Sequence, residues 1–474
     1  MLQKSGIFLF LISCASLYYL LNAQILLGHY DLGWHLAAGD LIRQQGSVPL
    51  HDPWAFTSTG REWFNLSWLW DVSASFLFQH AGFGGLILLT LACGAIIAGY
   101  LASLCLGRGA SMVAVCIVVL SAALLYPAFA SFPNVYLAAS PNLATMLFAV
   151  VFYGECLKRT RTVLLLPVLM LLWSNLHGGF TLGIFLVGGF FGLALLKREW
   201  THVRLYGLAL AGCLAATLVT PLGLHLYDGV RATLGSFVQA EITEWWPYYR
   251  NIAIPGSIPG MLYMLMFAAL ELGKRAPCPI EARLLSWLFL FLGLYQFRYM
   301  AFFFLFSTMP LALDLDPLLS KGQGVLNKAL LIAGIVAACA LPLAWVAVAP
   351  AFALPPMLSK RDVRTLETRF PHARLLNHWN YGGLLIFYDR GRIPLFVDGR
   401  ASTAYPDPLL RDYFTLVEHQ PQVDDGAWDK VLAKYHIDTV LWMNTHQELR
   451  RFLVGQRGWR EAYRGAYASI YVKP

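Results

Sequence analysis

The chain has 474 residues, of which 58% are hydrophobic and 13% are charged, and its mean hydropathy is +0.56. Soluble globular chains carry about 25% charged residues, so this composition excludes an ordinary water-soluble protein and indicates a multi-span membrane protein. The formal net charge of +8 requires no nucleic-acid partner, because membrane proteins concentrate Lys and Arg in their cytoplasmic loops.

Apolar stretches of helical length recur along residues 1–350 and predict about eleven transmembrane helices. The first, residues 6–26, follows a short basic start and lacks an A-x-A cleavage signal. We therefore expect an uncleaved anchor whose N-terminus is cytoplasmic. The other stretches are 83–105, 111–130, 142–157, 162–176, 179–196, 205–221, 258–273, 284–297, 299–313 and 326–350.

With this orientation every short basic loop lies on the cytoplasmic side, as the positive-inside rule requires. The long loops 27–82 and 222–257 and the region from residue 351 onward then lie on the outer side, which we expect to be the functional face. Within the first of these loops, residues 62–81 are aromatic and apolar at helical spacing. They predict a helix in the membrane interface, with Trp63, Trp68 and Trp70 at headgroup depth.

The composition changes after the last predicted span, since 351–474 contains 17 basic and 13 acidic residues. Short apolar runs there predict strands, and the stretches between them predict helices. The predicted strands are 384–388, 394–397, 439–443 and 469–472, and the predicted helices are 406–419, 427–435 and 446–455. We thus expect a transmembrane domain over 1–350, with the long outer loop 27–82, and a soluble α/β domain over 351–474.

The first candidate site lies where the first predicted span ends, in Asp31-Leu-Gly-Trp34-His35. A carboxylate at the edge of the lipid is poorly solvated, so Asp31 should have a partner or a function. It could accept a proton from an acceptor hydroxyl or amine, or bind a divalent metal together with His35. The alternative is that both residues only cap and solvate the start of a loop helix.

A second polar patch, Asn175-Leu-His177-Gly-Gly179, separates two apolar helices. Its glycines allow close backbone approach, so Asn175 and His177 could line a substrate cavity. The alternative is that a loop between two spans simply needs polar turn residues.

Arg298 lies between apolar segments on the side of the membrane where positive charge is usually avoided. An Arg in that setting is suited to clamp a phosphate or pyrophosphate headgroup. The alternative is an ion pair with Glu241 or Glu244. Glu244 belongs to a loop dense in carboxylates and aromatics, which suits a sugar ring and equally suits an ordinary aromatic belt.

These residues together resemble the GT-C superfamily of integral-membrane glycosyltransferases. That superfamily includes aminoarabinose transferases, protein O-mannosyltransferases and oligosaccharyltransferase catalytic subunits. The resemblance covers most of the chain and is stronger to a broad bacterial GT-C-like group. The motifs that carry it are Asp31-x-x-Trp34-His35-x-x-x-Gly39, Asp52-Pro53-x-x-Phe56-Thr57, Gly60-x-x-Trp63, Asn175-Leu-His-Gly-Gly179 and Val397-Asp398-Gly399-Arg400.

The resemblance implies a GT-C-like helical fold, a lipid-phosphate sugar donor and a catalytic Asp near the start of the first outer loop, here Asp31. It also implies inversion at the anomeric carbon. The chain departs from the pattern before Pro141, where relatives tend to have an Arg and this sequence has Ser140. A phosphate contact made there in relatives is therefore not expected here.

The segment Asn377-His-Trp379-Asn-Tyr381-Gly-Gly383 resembles the Trp-Trp-Asp-Tyr-Gly motif with which oligosaccharyltransferases hold an acceptor peptide. His378 and Asn380 replace the first Trp and the Asp of that motif, so peptide recognition does not follow. The alternative is a turn before a strand, with the two glycines as turn residues.

The leading hypothesis is a glycosyltransferase that uses a polyprenyl-phosphate sugar on the outer face of a bacterial inner membrane. Arg298 would hold the phosphate, Asp31 would act as base, and His35 and Glu244 would orient a glycan, lipid or protein acceptor or a divalent metal. Trp379, Tyr381, Asp398 and Arg400 would shape the acceptor entrance. The alternatives are a lipid-linked glycan transporter or export component, and a non-catalytic scaffold for envelope assembly. The chain lacks motifs for nucleotide hydrolysis, dinucleotide binding and serine hydrolysis.

Overall fold

The computed structural model describes residues 30–128, 138–251, 257–273, 276–319, 323–348, 357–418 and 426–474, together with 13, 16, 17, 20 and 27. The chain divides into two compact units. The first unit comprises the described parts of Met1–His29, Ala81–Thr220 and Ile242–Phe352. The second unit comprises the described parts of Tyr30–His80, Pro221–Glu241 and Ala353–Pro474.

Helices dominate both units. In chain order, those of eight residues or more in the described part of the chain are α1 (Leu32–Gln45), α2 (Trp68–Gly107), α3 (Met112–Ala128), α4 (Asn142–Lys158), α5 (Leu166–Leu176), α6 (Thr181–Leu196), α7 (Trp200–Ala216), α8 (Leu226–Leu234), α9 (Ser257–Leu272), α10 (Ile280–Tyr295), α11 (Met300–Leu315), α12 (Gln323–Val348), α13 (Lys360–Arg369), α14 (Trp379–Asp389), α15 (Asp407–Glu418) and α16 (Ala427–Lys434). The strands there are β1 (Leu375–Asn377), β2 (Thr439–Met443), β3 (Arg460–Arg464) and β4 (Ala468–Val472).

The first unit is built from the apolar helices. The described part of each predicted apolar stretch from 83–105 onward lies mainly on one of its helices, whereas 6–26 falls almost wholly outside the described residues. Helix α11 is buried along its length and packs against α3, α9 and α10, which explains why it is apolar on every face. Among the described residues, three helices are long and apolar enough to cross a membrane, namely Trp68–Gly107, Gly178–Leu196 and Phe297–Leu319. The count of eleven spans stays a prediction.

The helix predicted over 62–81 begins at Trp68 instead, and Gly82, with φ 59° and ψ −157°, interrupts the helical geometry of α2. Trp63 and Trp70 are only 1% and 4% exposed, so their rings are covered by protein, and their position at headgroup depth stays a prediction. The ring of Trp63 packs against those of Trp34 and Trp54, at centroid distances of 6.2 and 5.4 Å. A buried aromatic cluster therefore takes the place of the predicted lipid contact for Trp63.

The second unit contains a four-stranded sheet within its described residues, with strand order β1-β2-β4-β3. β1 pairs with β2 in parallel, with Leu375 opposite Thr439, and the other two pairings are antiparallel. The predictions of strands at 439–443 and 469–472 are confirmed by β2 and β4. The predicted helices at 406–419 and 427–435 are confirmed by α15 and α16, and residues 447–456 are helical as expected.

Two strand predictions are wrong. Residues 384–388 lie in α14, whose start is capped by His378, because the Asn380 backbone N–H donates to His378 Nδ1 at 3.2 Å. Residues 384–386 are buried on all sides, and a short run of that kind has no periodicity to separate helix from strand. Residues 394–397 are not a regular strand, since only an isolated bridge joins Leu395 to Ala55. That bridge also ties the C-terminal region to the first loop, with which it shares the second unit.

Candidate active site

Asp31 stands directly before α1 and is half-buried. A Cβ atom built on Gly399 would lie 1.7 Å from Asp31 Oδ1, so the carboxylate rests directly on the Gly399 backbone. Any larger residue at position 399 would occupy the place of the carboxylate, which makes glycine the residue that permits this approach. The fold thus brings Asp31 next to the segment 397–400, although the two motifs lie far apart in the sequence.

Glycines also set the packing of α1 on α14. A Cβ atom on Gly33 would lie 2.3 Å from the carbonyl oxygen of Gly383, and one on Gly383 would lie 2.7 Å from the carbonyl oxygen of Tyr30. A Cβ atom on Gly382 would lie 2.3 Å from Cβ of Asp398. The interpretation of Gly382 and Gly383 as turn residues is therefore wrong. They belong to α14 and let neighbouring backbone pack against it.

His35 and Gly39 lie one turn apart on the face of α1 that packs against α2. A Cβ atom on Gly39 would lie 1.9 Å from the carbonyl oxygen of Asp71, so the two helices meet backbone to backbone. Nδ1 of the buried His35 lies 2.6 Å from Asp71 Oδ1, and Asn65 Nδ2 donates to Asp71 Oδ2 at 2.8 Å. His35 therefore belongs to a buried polar network, which a mere solvating or capping residue would not need.

Arg400 is the centre of a buried charge cluster, and its side chain and those of Asp52 and Asp398 are fully enclosed. Its Nη1 donates to Asp52 Oδ1 at 2.6 Å, while Nε and Nη2 donate to the two oxygens of Asp398 at 2.9 and 2.7 Å. Burial alone would lower the pKa of Arg400, but Asp398, Tyr405 and Asp52 together raise it well above its usual value. The cluster joins the first loop to the segment 397–400 and leaves none of these three side chains on the surface.

Aromatic rings and an amide complete this arrangement. The guanidinium carbon of Arg400 lies 4.8 Å from the ring centroid of Trp54 and 4.9 Å from that of Trp63, which is the geometry of cation–π contacts. Asn377 Nδ2 donates to the carbonyl oxygen of Val397 at 2.7 Å, and Asn377 Oδ1 accepts from the Phe396 N–H at 2.8 Å. The residues of the first-loop motif thus support the segment on which Asp31 rests.

Trp379 and Tyr381 are engaged within the second unit. The backbone N–H of Trp379 donates to the Tyr413 hydroxyl at 2.7 Å, and its ring lies 5.4 Å from that of Phe414. Tyr381 is buried and donates its hydroxyl to the carbonyl oxygen of Tyr467 at 3.3 Å. Burial raises the pKa of Tyr381, so it stays a neutral donor. The acceptor entrance predicted for these two residues stays a prediction.

Arg298 and Glu244 belong to the first unit. Arg298 Nη1 lies 3.5 Å from Glu244 Oε1, and the guanidinium carbon lies 3.8 Å from the ring centroid of Trp245. The alternative of an ion pair is therefore confirmed for Glu244. Both side chains are partly exposed to solvent, Arg298 to 18% and Glu244 to 24%. A phosphate could reach the guanidinium without displacing a buried carboxylate.

Asn175 and His177 also lie in the first unit. Asn175 Nδ2 donates to the carbonyl oxygens of Leu171 and Val219, at 2.8 and 2.9 Å, and so ties the end of α5 to the chain that follows α7. The backbone N–H of Gly179 donates to His177 Nδ1 at 3.2 Å. A neutral His177 ring must then have its proton on Nε2. Whether these residues line a cavity stays a prediction.

No group of three or more His, Cys, Asp or Glu side chains among the described residues could hold a metal ion. His35 Nδ1 faces Asp71, and Glu244 faces Arg298. The divalent metal considered for His35 and Glu244 stays a prediction.

Asp71, Asn65 and Tyr405 belong to the site but were not predicted from the sequence. Gly39, one turn after His35, permits a close backbone approach, but only the structure shows that Asp71 makes it.

The structure is similar to the crystal structure of ArnT from Cupriavidus metallidurans bound to undecaprenyl phosphate. The TM-score is 0.53, the sequence identity is 14%, and the match covers 97% of each chain. No protein-family model and no curated protein matches the sequence. The chain therefore shares the fold of this ArnT structure over nearly its whole length.

Proposed function

We propose that this protein is a membrane glycosyltransferase that transfers a sugar from a polyprenyl-phosphate donor to an acceptor on the outer face of a bacterial inner membrane. The N-terminus would be cytoplasmic, and the C-terminal region would lie outside. The fold shared with an undecaprenyl-phosphate-bound ArnT supports the donor class. The position of Asp31 supports the chemistry.

The observation that carries this proposal is the setting of the Asp31 carboxylate. It is half-buried and lies against a glycine backbone where α1 meets the segment 397–400. A carboxylate in this place can accept a proton from a substrate hydroxyl or amine. The deprotonated acceptor attacks the anomeric carbon while the bond from that carbon to the phosphate oxygen breaks. The polyprenyl phosphate leaves with the bonding electrons, and the configuration is inverted.

Other residues take supporting roles in this proposal. Arg298 contacts the donor phosphate, since a guanidinium pairs with phosphate oxygens in two-point geometry. Asp398 and Arg400 hold the backbone beneath Asp31 rather than touch the acceptor, because their side chains are enclosed. Trp379 and Tyr381 help to shape the entrance for the acceptor.

The test compares two single substitutions on one helix. Asp31→Asn should abolish transfer from a radiolabelled polyprenyl-phosphate sugar to membrane acceptors, while leaving binding of undecaprenyl phosphate unchanged. Asp40→Asn is the matched control. Asp40 lies within α1, the helix that Asp31 precedes, and its carboxylate accepts hydrogen bonds from Gln44 and Gln79 on an exposed surface. Full transfer activity in Asp31→Asn would refute the mechanism.

The same assay separates the transporter and the scaffold from the enzyme. A transporter would flip a fluorescent lipid-linked glycan in vesicles without changing it chemically, and a scaffold would do neither. Transporters place ionisable groups near the middle of the bilayer. The buried ion cluster of the first unit, Glu271 with Arg283 and Asp314, instead lies near the ends of α9, α10 and α11. This placement favours the enzyme.

A further inference from the structure

A chain of four hydrogen-bonding groups runs behind the helix that begins after Asp31. Its order follows from one donor whose direction is fixed: the backbone N–H of Ser67 donates to Asn65 Oδ1 at 3.1 Å. The amide of Asn65 must then present Nδ2 to Asp71, 2.8 Å away. Asp71 Oδ2 is therefore an acceptor.

The other oxygen of Asp71 decides the state of the histidine. Asp71 Oδ1 lies 2.6 Å from His35 Nδ1, and a buried Asp that meets a His at Nδ1 holds the ring in the tautomer with its proton on that nitrogen. Nε2 of a neutral His35 then has a lone pair. The ring of Trp34 lies 3.6 Å from the His35 ring, at 30° between planes, and fixes its orientation on the other side. The arrangement leaves His35 Nε2 as a proton acceptor. Asp71 would stabilise the imidazolium that forms when Nε2 takes a proton.

Sequence spacing puts this acceptor beside the proposed base. Residues four apart on a helix are neighbours on one face, and Asp31 accepts the His35 backbone N–H through its carbonyl oxygen at 3.1 Å. Asp71 on α2 faces His35, and Asp31 stands four residues before His35 at the start of the same helix. An imidazolium formed at His35 would therefore be paired with the Asp71 carboxylate.

We infer that His35 takes the acceptor's proton from Asp31, and that Asp71 and Asn65 are positioning residues that hold His35 in the tautomer this transfer needs. The proton moves from the acceptor oxygen to the Asp31 carboxylate, and from there to His35 Nε2. The imidazolium so formed is paired with Asp71 and later releases the proton to water. Asp31 is thereby ready for the next acceptor. This inference rests on the proposed function and assigns that function three more residues.

The test variant is Asp71→Asn, which keeps the shape of the side chain. Its one oxygen must face Asn65, so its amide N–H must face His35 Nδ1 and should move the ring proton to Nε2. We expect transfer at neutral pH to fall by about a hundredfold or more, since a wrong tautomer in an Asp–His pair has costs of that order or larger. The acceptor KM and undecaprenyl-phosphate binding should change little. The limb of the pH–rate profile that reports His35 should disappear.

Two further measurements keep this test independent of folding and of the proposed function. ¹⁵N NMR of histidine-labelled protein, assigned with His35→Asn, should give an Nδ1–H tautomer in the parent and an Nε2–H tautomer in Asp71→Asn. Asn65→Ala, a milder change, should lower transfer by about tenfold, the lower end of effects for residues that orient a ligand. A tautomer switch without change in rate or pH profile would overturn the inference and leave the proposed function intact. Absence of any transfer in the parent would count against the proposed function, and an Nε2–H tautomer in the parent would overturn the inference by itself.

Discussion

Replacement of Gly399 by Ala should misplace the proposed base without touching its chemistry. The added Cβ atom would lie 1.7 Å from Asp31 Oδ1, and ordinary contact begins at 3.4 Å, so the two atoms must separate by a further 1.7 Å (3.4 less 1.7). The loop cannot easily yield, because Asp398 and Arg400 on either side are locked in the buried ion cluster. The Asp31 carboxylate must therefore move instead. A displacement of about 1 Å costs around a hundredfold in rate where catalysis depends on orientation.

We expect kcat/KM for transfer to fall by about two orders of magnitude in Gly399→Ala, which is about 2.7 kcal/mol of transition-state stabilisation. The assay is the same radiolabelled transfer, with undecaprenyl-phosphate binding and the melting temperature as checks on the donor site and the fold. Gly455→Ala is the matched control, because a Cβ atom there meets open space. Activity of Gly399→Ala within twofold of the parent would refute the argument that Asp31 acts from its place on this backbone.

Three other predictions concern charge and burial. Arg400→Leu should lower the free energy of unfolding by about 3–5 kcal/mol, because Asp52 and Asp398 are left buried without their cation, and thermal melts with size-exclusion chromatography will measure it. Arg298→Gln should weaken undecaprenyl-phosphate binding at least tenfold in a lipid-binding titration, whereas Glu244→Gln should leave it equal or tighter; equal affinity in Arg298→Gln would remove Arg298 from the donor site. Burial, with His446 nearby, lowers the pKa of His378 to about 3, so stability is full above pH 6.5 and falls by up to about 1.4 kcal/mol per unit as the pH drops toward 3. His378→Asn, whose Oδ1 can still accept the Asn380 N–H, should flatten that decline, and an unchanged slope in acid melts would contradict it.

The helices of the first unit could be predicted from the sequence because a single quantity, apolar length, specifies them. The stretch 299–313 became α11 regardless of which apolar residues it contains. The stretch 384–388 failed for the same reason. It is five residues long and buried on most faces, so hydrophobicity alone does not distinguish a strand from part of a helix. The helix is favoured by the cap at His378 and by the close contact of Gly382 with Asp398. Both features depend on the tertiary structure.

The candidate site could be predicted only where one residue is itself unusual. Asp31 stood out as a carboxylate at the end of an apolar run. Arg298 stood out as a cation on the side predicted to be the outer one, although the sequence did not determine which of two acids is its partner. Asp71 gave no such signal, because an acid at the start of a helix is ordinary. Its importance comes from a helix contact that begins at Gly39, and the contact is visible only in three dimensions.

Hydropathy specifies the helices, whereas individual residues specify the site. This difference explains how a fold can persist at 14% identity. Apolar helices accept many sequences, since any residues of suitable hydropathy and volume will pack. The site accepts few, because backbone contacts at Gly33, Gly39 and Gly399 exclude every side chain, and the charge at Arg400 has two carboxylates to neutralise. A chain that shares this fold but has a larger residue in place of Gly399 cannot hold a carboxylate where Asp31 lies. Such a chain should differ in mechanism even if its helices superpose, whereas one that retains the glycines and the Asp–His pair should share the chemistry at any overall identity.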